Sequence, residues 1–313
     1  MSRYPLEPLD FSRLRTTPLA GRPAKVRVED FARPYRGGGV RALVEGLPRL
    51  LAAEQLRALA AALLQARRNG RVILWGLGGH VVKCGLSPVL IDLMERGLAT
   101  GFALNGAAAI HDLEIALVGA TSEEVGEVLA DGRFGTAEET AAAFHEAVQQ
   151  AARNSLGLGE SLGQQLHSAP HAASSLLAQA YQRALPVTVH VALGTDTPHN
   201  DPRMDAAALG LATYRDFRLF AELARRLEGG GVYLNVGSAV LLPEVFLKAV
   251  SVVRNLGHRL QDFHAANLDF IQHYRPTRNV VERPTAGVGR GYALTGHHEI
   301  MLPLLAAYLA ESS

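Results

Sequence analysis

The sequence predicts an α/β protein built on a doubly wound, mostly parallel, Rossmann-like sheet. Short apolar runs suited to strands buried on both faces alternate with longer stretches of helical periodicity. Glycine-rich or polar turns mark the ends of these runs, at GLGGH, NGAAAIHD, GTDTPHND and NVGS. A chain of 313 residues, 48% hydrophobic and 19% charged, is long enough to bury the core such a sheet needs.

In chain order, residues 1–40 are rich in Pro, Arg and Gly and end in RPYRGGG. They are expected to form an arm with little regular structure, packed on a neighbouring subunit. Residues 41–313 are expected to form one α/β domain. It opens with the helical stretch RALVEGLPRLLAAEQLRALAAALLQARRNG, where Gly70 is placed as a C-cap. RVILW is the first strand, PVLIDLMERG a helix, ATGFALN the second strand and HDLEIALVG a helix. From about 121 to 183 the chain reads as a helical insertion, with TSEE and TAEE as capping boxes. LPVTVHVAL resumes the strands, followed by the polar loop GTDTPHNDP and the helix YRDFRLFAELARRLEGG. GVYLNVG is a strand, SAVLLPEVFLKAVSVVRNLG a helix, and LQDFHAANLDF a strand entering a loop. The tail reads as a glycine-rich loop and a closing helix.

Composition narrows the function. A net charge of +1 leaves no basic excess for a phosphate backbone, so no nucleic-acid partner is expected. No apolar run reaches the roughly 18 residues that span a bilayer. MSRYPLEPLDFSRLRTTPLAG lacks the apolar centre of a signal peptide. A single cysteine cannot form an internal disulfide. A cytoplasmic protein with a small-molecule substrate and no membrane partner is expected. Lysine occurs only at positions 25, 83 and 248, so any nucleophilic amine must be one of three.

Open parallel sheets bind ligands beyond the carboxyl ends of their strands. The marked turns make Gly78, Gly79, His80, Asn105, Gly106, Ala107, Asp196 and Asn235 candidates for holding a nucleotide, together with Gly229, Gly230 and Gly231. The alternative is that these are tight strand–helix turns. GLGGH lacks the usual dinucleotide spacing, and no acid ends the next strand. His199 or His111 suits a general base, with Asp112 or Asp196 orienting it. His298 and Glu299 join the catalytic candidates, and His264, Asp269, His273 and Arg275 are candidates to contact substrate. His111, Asp112, Asp196, His199 and His298 have the side-chain types of a metal site, but no spacing matches a zinc signature and no metal is expected. Cys84 is either an activated thiolate or a small buried residue, and Lys83 either meets a phosphate or is solvated. Arg275, Arg278 and Arg283 either clamp an acidic group or lie in a solvated loop.

Taken together and in order, these stretches resemble the deoxyhypusine synthase family over roughly residues 40 to 285. RVILWGLGGHVVKCGLSPVLIDLMERGLATGFALNGAAAIHDLE is similar to the family's early block, and PVTVHVALGTDTPHND to the block with an NAD-binding aspartate. LEGGGVYLNVGSAV is similar to its triple-glycine strand, and ANLDFIQHYRPTRNVVERP to its last block, which carries substrate and catalytic groups. The resemblance implies a doubly wound NAD-binding fold and a tetramer with sites at subunit interfaces. It places Gly79 and His80 on one NAD turn, Asn105, Gly106 and Ala107 on the next, and the NAD-binding aspartate at Asp196.

The chain departs from the family where the family's chemistry lies. That chemistry uses a lysine that forms an imine with the aminobutyl group of spermidine. The equivalent place falls near Arg283 or Pro284, and no lysine follows Lys248. Arginine stays protonated and forms no imine. Leu234, Asn235 and Val236 stand where a lysine and histidines follow the family's triple glycine, and Ile110 and His111 replace its paired acids. The resemblance therefore implies an NAD enzyme acting on a small polar substrate, not a deoxyhypusine synthase. A non-catalytic nucleotide-binding protein and a metal-dependent lyase or hydrolase are the alternatives.

Overall fold

The computed structural model describes residues 3–312. Its strands are β1 (Ile73–Leu77), β2 (Gly101–Asn105), β3 (Val187–His190), β4 (Val232–Val236), β5 (Phe263–Asp269) and β6 (Gly289–Thr295). They form one sheet in the order β3-β2-β1-β4-β5-β6, and every pairing is parallel. The chain winds outward from β1 to β3, then returns to the other side of β1 with β4. That reversal, between β1 and β4, is where a doubly wound sheet opens a crevice for a ligand.

Alternation along the strands sends side chains to two cores. Ile73, Trp75 and Leu77 join Val232, Leu234 and Val236 on one face. They pack there against α2 (Leu51–Arg68), α4 (Ser87–Glu95), α5 (Gly106–Val118), α8 (Leu158–Leu166), α9 (Leu176–Gln182) and α13 (His298–Ser312). Leu74, Ala103, Tyr233 and Ala265 face the other way, onto α10 (Ala206–Arg225) and α11 (Leu241–Asn255). The buried runs are continuous because both faces of the sheet are covered.

The crossover from β2 to β3 carries α5, α6 (Val125–Val128), α7 (Glu138–Asn154), α8 and α9. The two capping boxes read from TSEE and TAEE do not form. Neither α6 nor α7 has a side-chain cap. Thr121 instead donates to Glu114 and bonds His111 Nδ1 at 2.8 Å, while Thr136 donates to Arg133 O at 2.7 Å. Gly70 ends α2 at φ +60°, the left-handed geometry its sequence position suggests.

The tail read as a loop contains β6. Its glycines hid the strand, and the packing explains them: a Cβ on Gly289 would lie 2.3 Å from Phe263 O, and one on Gly291 2.2 Å from Val281 O. Residues 3–36 lie exposed except for the part-buried Asp30. The arm's end is tied to α1 (Gly39–Gly46) by Arg33 N donating to Gly46 O at 2.8 Å. Among the described residues, no helix is long and apolar enough to cross a membrane.

Candidate functional site

At the carboxyl edge, β1 runs into Gly78, which crosses the turn after β4. Gly78 N donates to Val236 O at 2.9 Å, and a Cβ on Gly78 would lie 2.0 Å from Gly237 O. This glycine is required by the meeting of two turns at the reversal point. Gly79 opens α3 (Gly79–Lys83), and a Cβ there would come within 2.9 Å of Ala107 Cβ and 3.3 Å of His111 Cδ2. The start of α3 is thus pressed onto α5. Residues four apart share a helical face, so Gly79 and Lys83 border one side of α3 while His80 and Cys84 border the other.

On the first side lies a cavity of about 200 Å³ whose lining includes Lys83, Ala107, His111, Thr195 and Asp196. Asn105 Oδ1 accepts from Ala108 N at 2.9 Å and caps α5, so this side chain is committed to the helix start. A Cβ on Gly106 would lie 1.9 Å from Asp196 Oδ2, so the loop after β3 leans directly on the turn after β2. Asp196 Oδ2 is buried and has no hydrogen-bond partner among the described residues. Burial pushes this carboxyl up to about 6, against the lowering effects of Thr195 and His111. His111 stands beside it, with Nδ1 on Thr121 and 3.8 Å from Glu114 Oε2. Burial acts to raise Glu114, but bonds from His111, Thr121 and Thr140 outweigh it and leave this carboxyl below its ordinary value.

Two of the expected catalytic residues are structural. Asp112 is fully buried and accepts from Ser175 Oγ at 2.6 Å, Leu176 N at 2.7 Å and Leu177 N at 2.9 Å. It anchors the start of α9 and orients no histidine. His199 Nδ1 accepts from Gly194 N at 3.1 Å and Asp196 N at 3.3 Å. That spends the basic nitrogen a general base needs, and burial lowers the pKa of the ring further. His199 shapes the loop that presents Asp196.

On the second side of α3, His298 is buried. Its Nε2 lies 3.3 Å from Leu268 O and 3.9 Å from Asp269 Oδ1, at the end of β5. Burial lowers its pKa, with Asp269 and the Leu268 carbonyl opposing. His80 packs edge-on to it, ring centres 5.7 Å apart. Cys84 Sγ lies 3.3 Å from His80 Nε2 and 3.8 Å from Glu299 Oε2. Burial and the Glu299 charge push the thiol up, so it is not an activated thiolate. This gathering of Cys84 with Glu299 joins positions 215 residues apart, and sequence spacing gave no sign of it.

Other expected site residues stand elsewhere. Gly229, Gly230 and Gly231 precede β4, at the opposite edge of the sheet from Gly78. They turn α10 into the strand, with φ +77° at Gly229 and +106° at Gly230, and a Cβ on Gly231 would meet Leu227 Cα at 2.6 Å. His264 is near the amino end of β5, stacked on Tyr292 and bonded to its hydroxyl at 3.1 Å. Asn235 is buried inside β4, donating to Ser238 O at 2.9 Å and Asn267 Oδ1 at 2.7 Å. His273 and Arg275 are exposed beyond β5, at the short helix α12 (Tyr274–Pro276), and Arg275 pairs with Glu244 at 3.3 Å. Arg278 pairs with Glu282, and Arg283 with Asn279, which leaves no arginine clamp. The five-residue metal set is not assembled, since Asp112 caps α9 and His298 lies across α3. A cavity of about 600 Å³ opens near the amino end of β3 around Leu177, Tyr181 and Val187, away from these turns. Strand topology and the unpartnered carboxylate weigh more for a nucleotide than that cavity's size.

No protein family and no curated protein matches the chain. Solved structures share its fold. A conserved LOR/SDH protein from Methanococcus maripaludis S2 aligns with a TM-score of 0.53 and 14% identity, covering 84% of this chain and 71% of that one. AgrE, solved in a ternary complex with ornithine and NAD+, aligns at 0.52 with 14% identity over 82% of this chain; the match spans only 33% of AgrE. A protein described as a deoxyhypusine synthase from Entamoeba histolytica aligns at 0.50 with 10% identity, over 88% of this chain and 95% of that one. The common ground is the doubly wound fold that the sequence resemblance implies.

Proposed function

We propose that the chain is a cytoplasmic, NAD-binding enzyme that acts on a small polar substrate and works as a homo-oligomer. The observation that carries the nucleotide is Asp196, whose buried Oδ2 has no partner among the described residues and faces the turn at Gly106. A buried carboxylate oxygen without a donor costs free energy, and the hydroxyls of a ribose supply donors. In the usual dinucleotide site an acid at the end of β2 takes this part. Here Asn105 stands there, occupied as a cap, and Asp196 reaches the same region from the loop after β3.

In this reading Asp196 and His111, beyond the ends of β2 and β3, would hold the adenosine half. His80, Asp269 and His298, on the other side of the reversal point, would be the groups available to the other half. NAD, when bound, supplies a hydride acceptor. The chain's own groups bind and orient: Gly106 lets the backbone come close, Asp196 holds hydroxyls, and His111 lines the same cavity. On the far side, burial favours a neutral His298 imidazole beside Asp269, suited to holding or taking a proton near the reacting centre. The AgrE complex with NAD+ on a related fold supports the cofactor.

Deoxyhypusine synthesis is not the reaction. Of the three lysines, Lys25 lies in the arm, Lys248 is paired with Glu244 on α11, and Lys83 alone reaches the cavity, beside the adenosine half. The homo-oligomer is supported by the arm, where Tyr4, Leu6, Leu9 and Phe11 are 78%, 77%, 82% and 69% exposed. Apolar side chains on an extended arm suit a second copy of the chain.

The experiment is rapid mixing of stoichiometric enzyme and NAD with a panel of amines, alcohols and amino acids, read by reduced-nicotinamide absorbance. A transient or lasting signal with one class supports the enzyme. NAD binding with no signal across the panel supports a nucleotide-binding protein without catalysis.

A further inference from the structure

We propose that His80, Cys84 and Glu299 form a three-ligand site for a divalent transition metal, zinc above all, with a coordination position left open. The three ligand atoms all lie within 4.8 Å of one another. Sγ of Cys84 is 3.3 Å from His80 Nε2 and 3.8 Å from Glu299 Oε2. Ligands about 2.0–2.3 Å from a tetrahedral zinc stand roughly 3–4 Å from each other, so these two edges already have the right length.

The local structure explains how the group comes together. His80 and Cys84 are one helical turn apart, a spacing that sets two ligands on one face. Glu299 comes from the first turn of α13, after β6 has carried the chain back to the carboxyl edge. The contact of Gly79 with Ala107 fixes the start of α3, and the buried His298 fixes the start of α13.

Donor chemistry selects the ion. One thiolate, one imidazole and one carboxylate suit zinc or cobalt and not magnesium or calcium, which take oxygen ligands. Glu299 beside a thiol works against a free nucleophilic thiolate, whereas a cation between them makes the same charges favourable. His80 and Glu299 are exposed and Cys84 is partly buried, so a fourth position faces solvent and would take water or a substrate oxygen. Three protein ligands with an open position is the pattern of catalytic zinc, not of closed structural zinc. Phe270, 6.1 Å from His80 and stacked on His297, forms an apolar wall beside it.

This site uses none of the residues that hold the proposed adenosine half, and its test contains no nucleotide, so the two readings fail separately. The full chain is stripped with a chelator and titrated with Co²⁺. One equivalent is expected to give strong visible d–d absorption and a near-ultraviolet sulfur-to-cobalt band, both lost when Zn²⁺ displaces it. Cys84→Ser should remove the sulfur band, and Glu299→Gln should weaken binding by at least the roughly tenfold that even outer-shell partners of a metal contribute. Cys84 is the chain's only cysteine, so alkylation of the unmodified protein reads this site without any substitution. Zn²⁺ should slow that alkylation sharply. Failure to bind Co²⁺ or Zn²⁺, a sulfur band that survives Cys84→Ser, or an alkylation rate indifferent to Zn²⁺ would each overturn the proposal.

Discussion

Asp196 stands so close over Gly106 that a methyl group on the glycine would lie 1.9 Å from the carboxylate Oδ2. The contact joins the loop after β3 to the turn after β2, on the edge where a doubly wound sheet takes its ligand. It is also the most direct handle on the nucleotide reading.

Gly106→Ala must push Asp196 away. Overpacking at a close contact costs about 1–3 kcal/mol of stability. The protein should remain folded at room temperature with a lower denaturant midpoint, while NAD affinity falls together with the displaced carboxylate. Wild-type affinity in this variant would mean that the position of Asp196 does not matter to the ligand.

Nucleotide binding should depend on pH through the same group. Asp196 has its carboxyl raised to about 6, mainly by burial, and ribose hydroxyls donate more strongly to its ionised form, which accepts on both oxygens, than to the protonated acid. Affinity for NAD should therefore rise from pH 5 to about 6.5 and then level off, and Asp196→Asn should flatten the rise. The stability effect has the opposite sign. A carboxyl raised above its ordinary 3.8 favours the protonated folded state, and that contribution is lost as pH rises through about 6. Affinity measured calorimetrically across this range, beside melting curves without ligand, separates the two effects.

Asp112→Ala should behave as a structural lesion. It removes the acceptor for Ser175 Oγ and for two backbone amides at the start of α9. Stranding buried donors and losing a helix anchor cost together about 2–4 kcal/mol. Equilibrium unfolding should show that loss, and nucleotide affinity of the folded protein should stay near wild type. A stable variant without activity would restore Asp112 to the catalytic set.

Removal of residues 1–36 tests the arm. The truncated chain should shift to a smaller assembly in sedimentation experiments, with the unfolding midpoint of the remaining domain little changed. An unaltered assembly would place the subunit contacts on the α/β body.

The sheet was legible because β1 to β4 are short, mostly apolar runs set off by glycine or polar residues. β6 was missed because the glycines that read as a loop, Gly289 and Gly291, are there to let an edge strand approach Phe263 O and Val281 O. Thr121 and Thr136 carried the spacing of capping boxes, but nearer partners took their hydroxyls. At the candidate site, residue type at a strand end matched the location of Gly78, Gly79, Gly106 and Asp196, which the topology brings to the carboxyl edge of the sheet. It misled at Gly229–Gly231 and His264, which lie toward the other ends of their strands, because composition does not say which edge a turn faces. It also misled at Asp112 and His199, whose polar atoms turn inward to backbone amides. Cys84 and Glu299 meet only through the return of the chain along β6.

Calorimetric titration of the full chain with NAD, beside the same titration of Asp196→Ala, decides whether Asp196 holds a nucleotide. One NAD per chain with micromolar affinity is expected. Binding should be weaker by about 10–100-fold in the variant, the worth of hydrogen bonds to a charged group, with unchanged circular dichroism. No NAD binding by the wild type, or equal binding by the variant, would contradict that role.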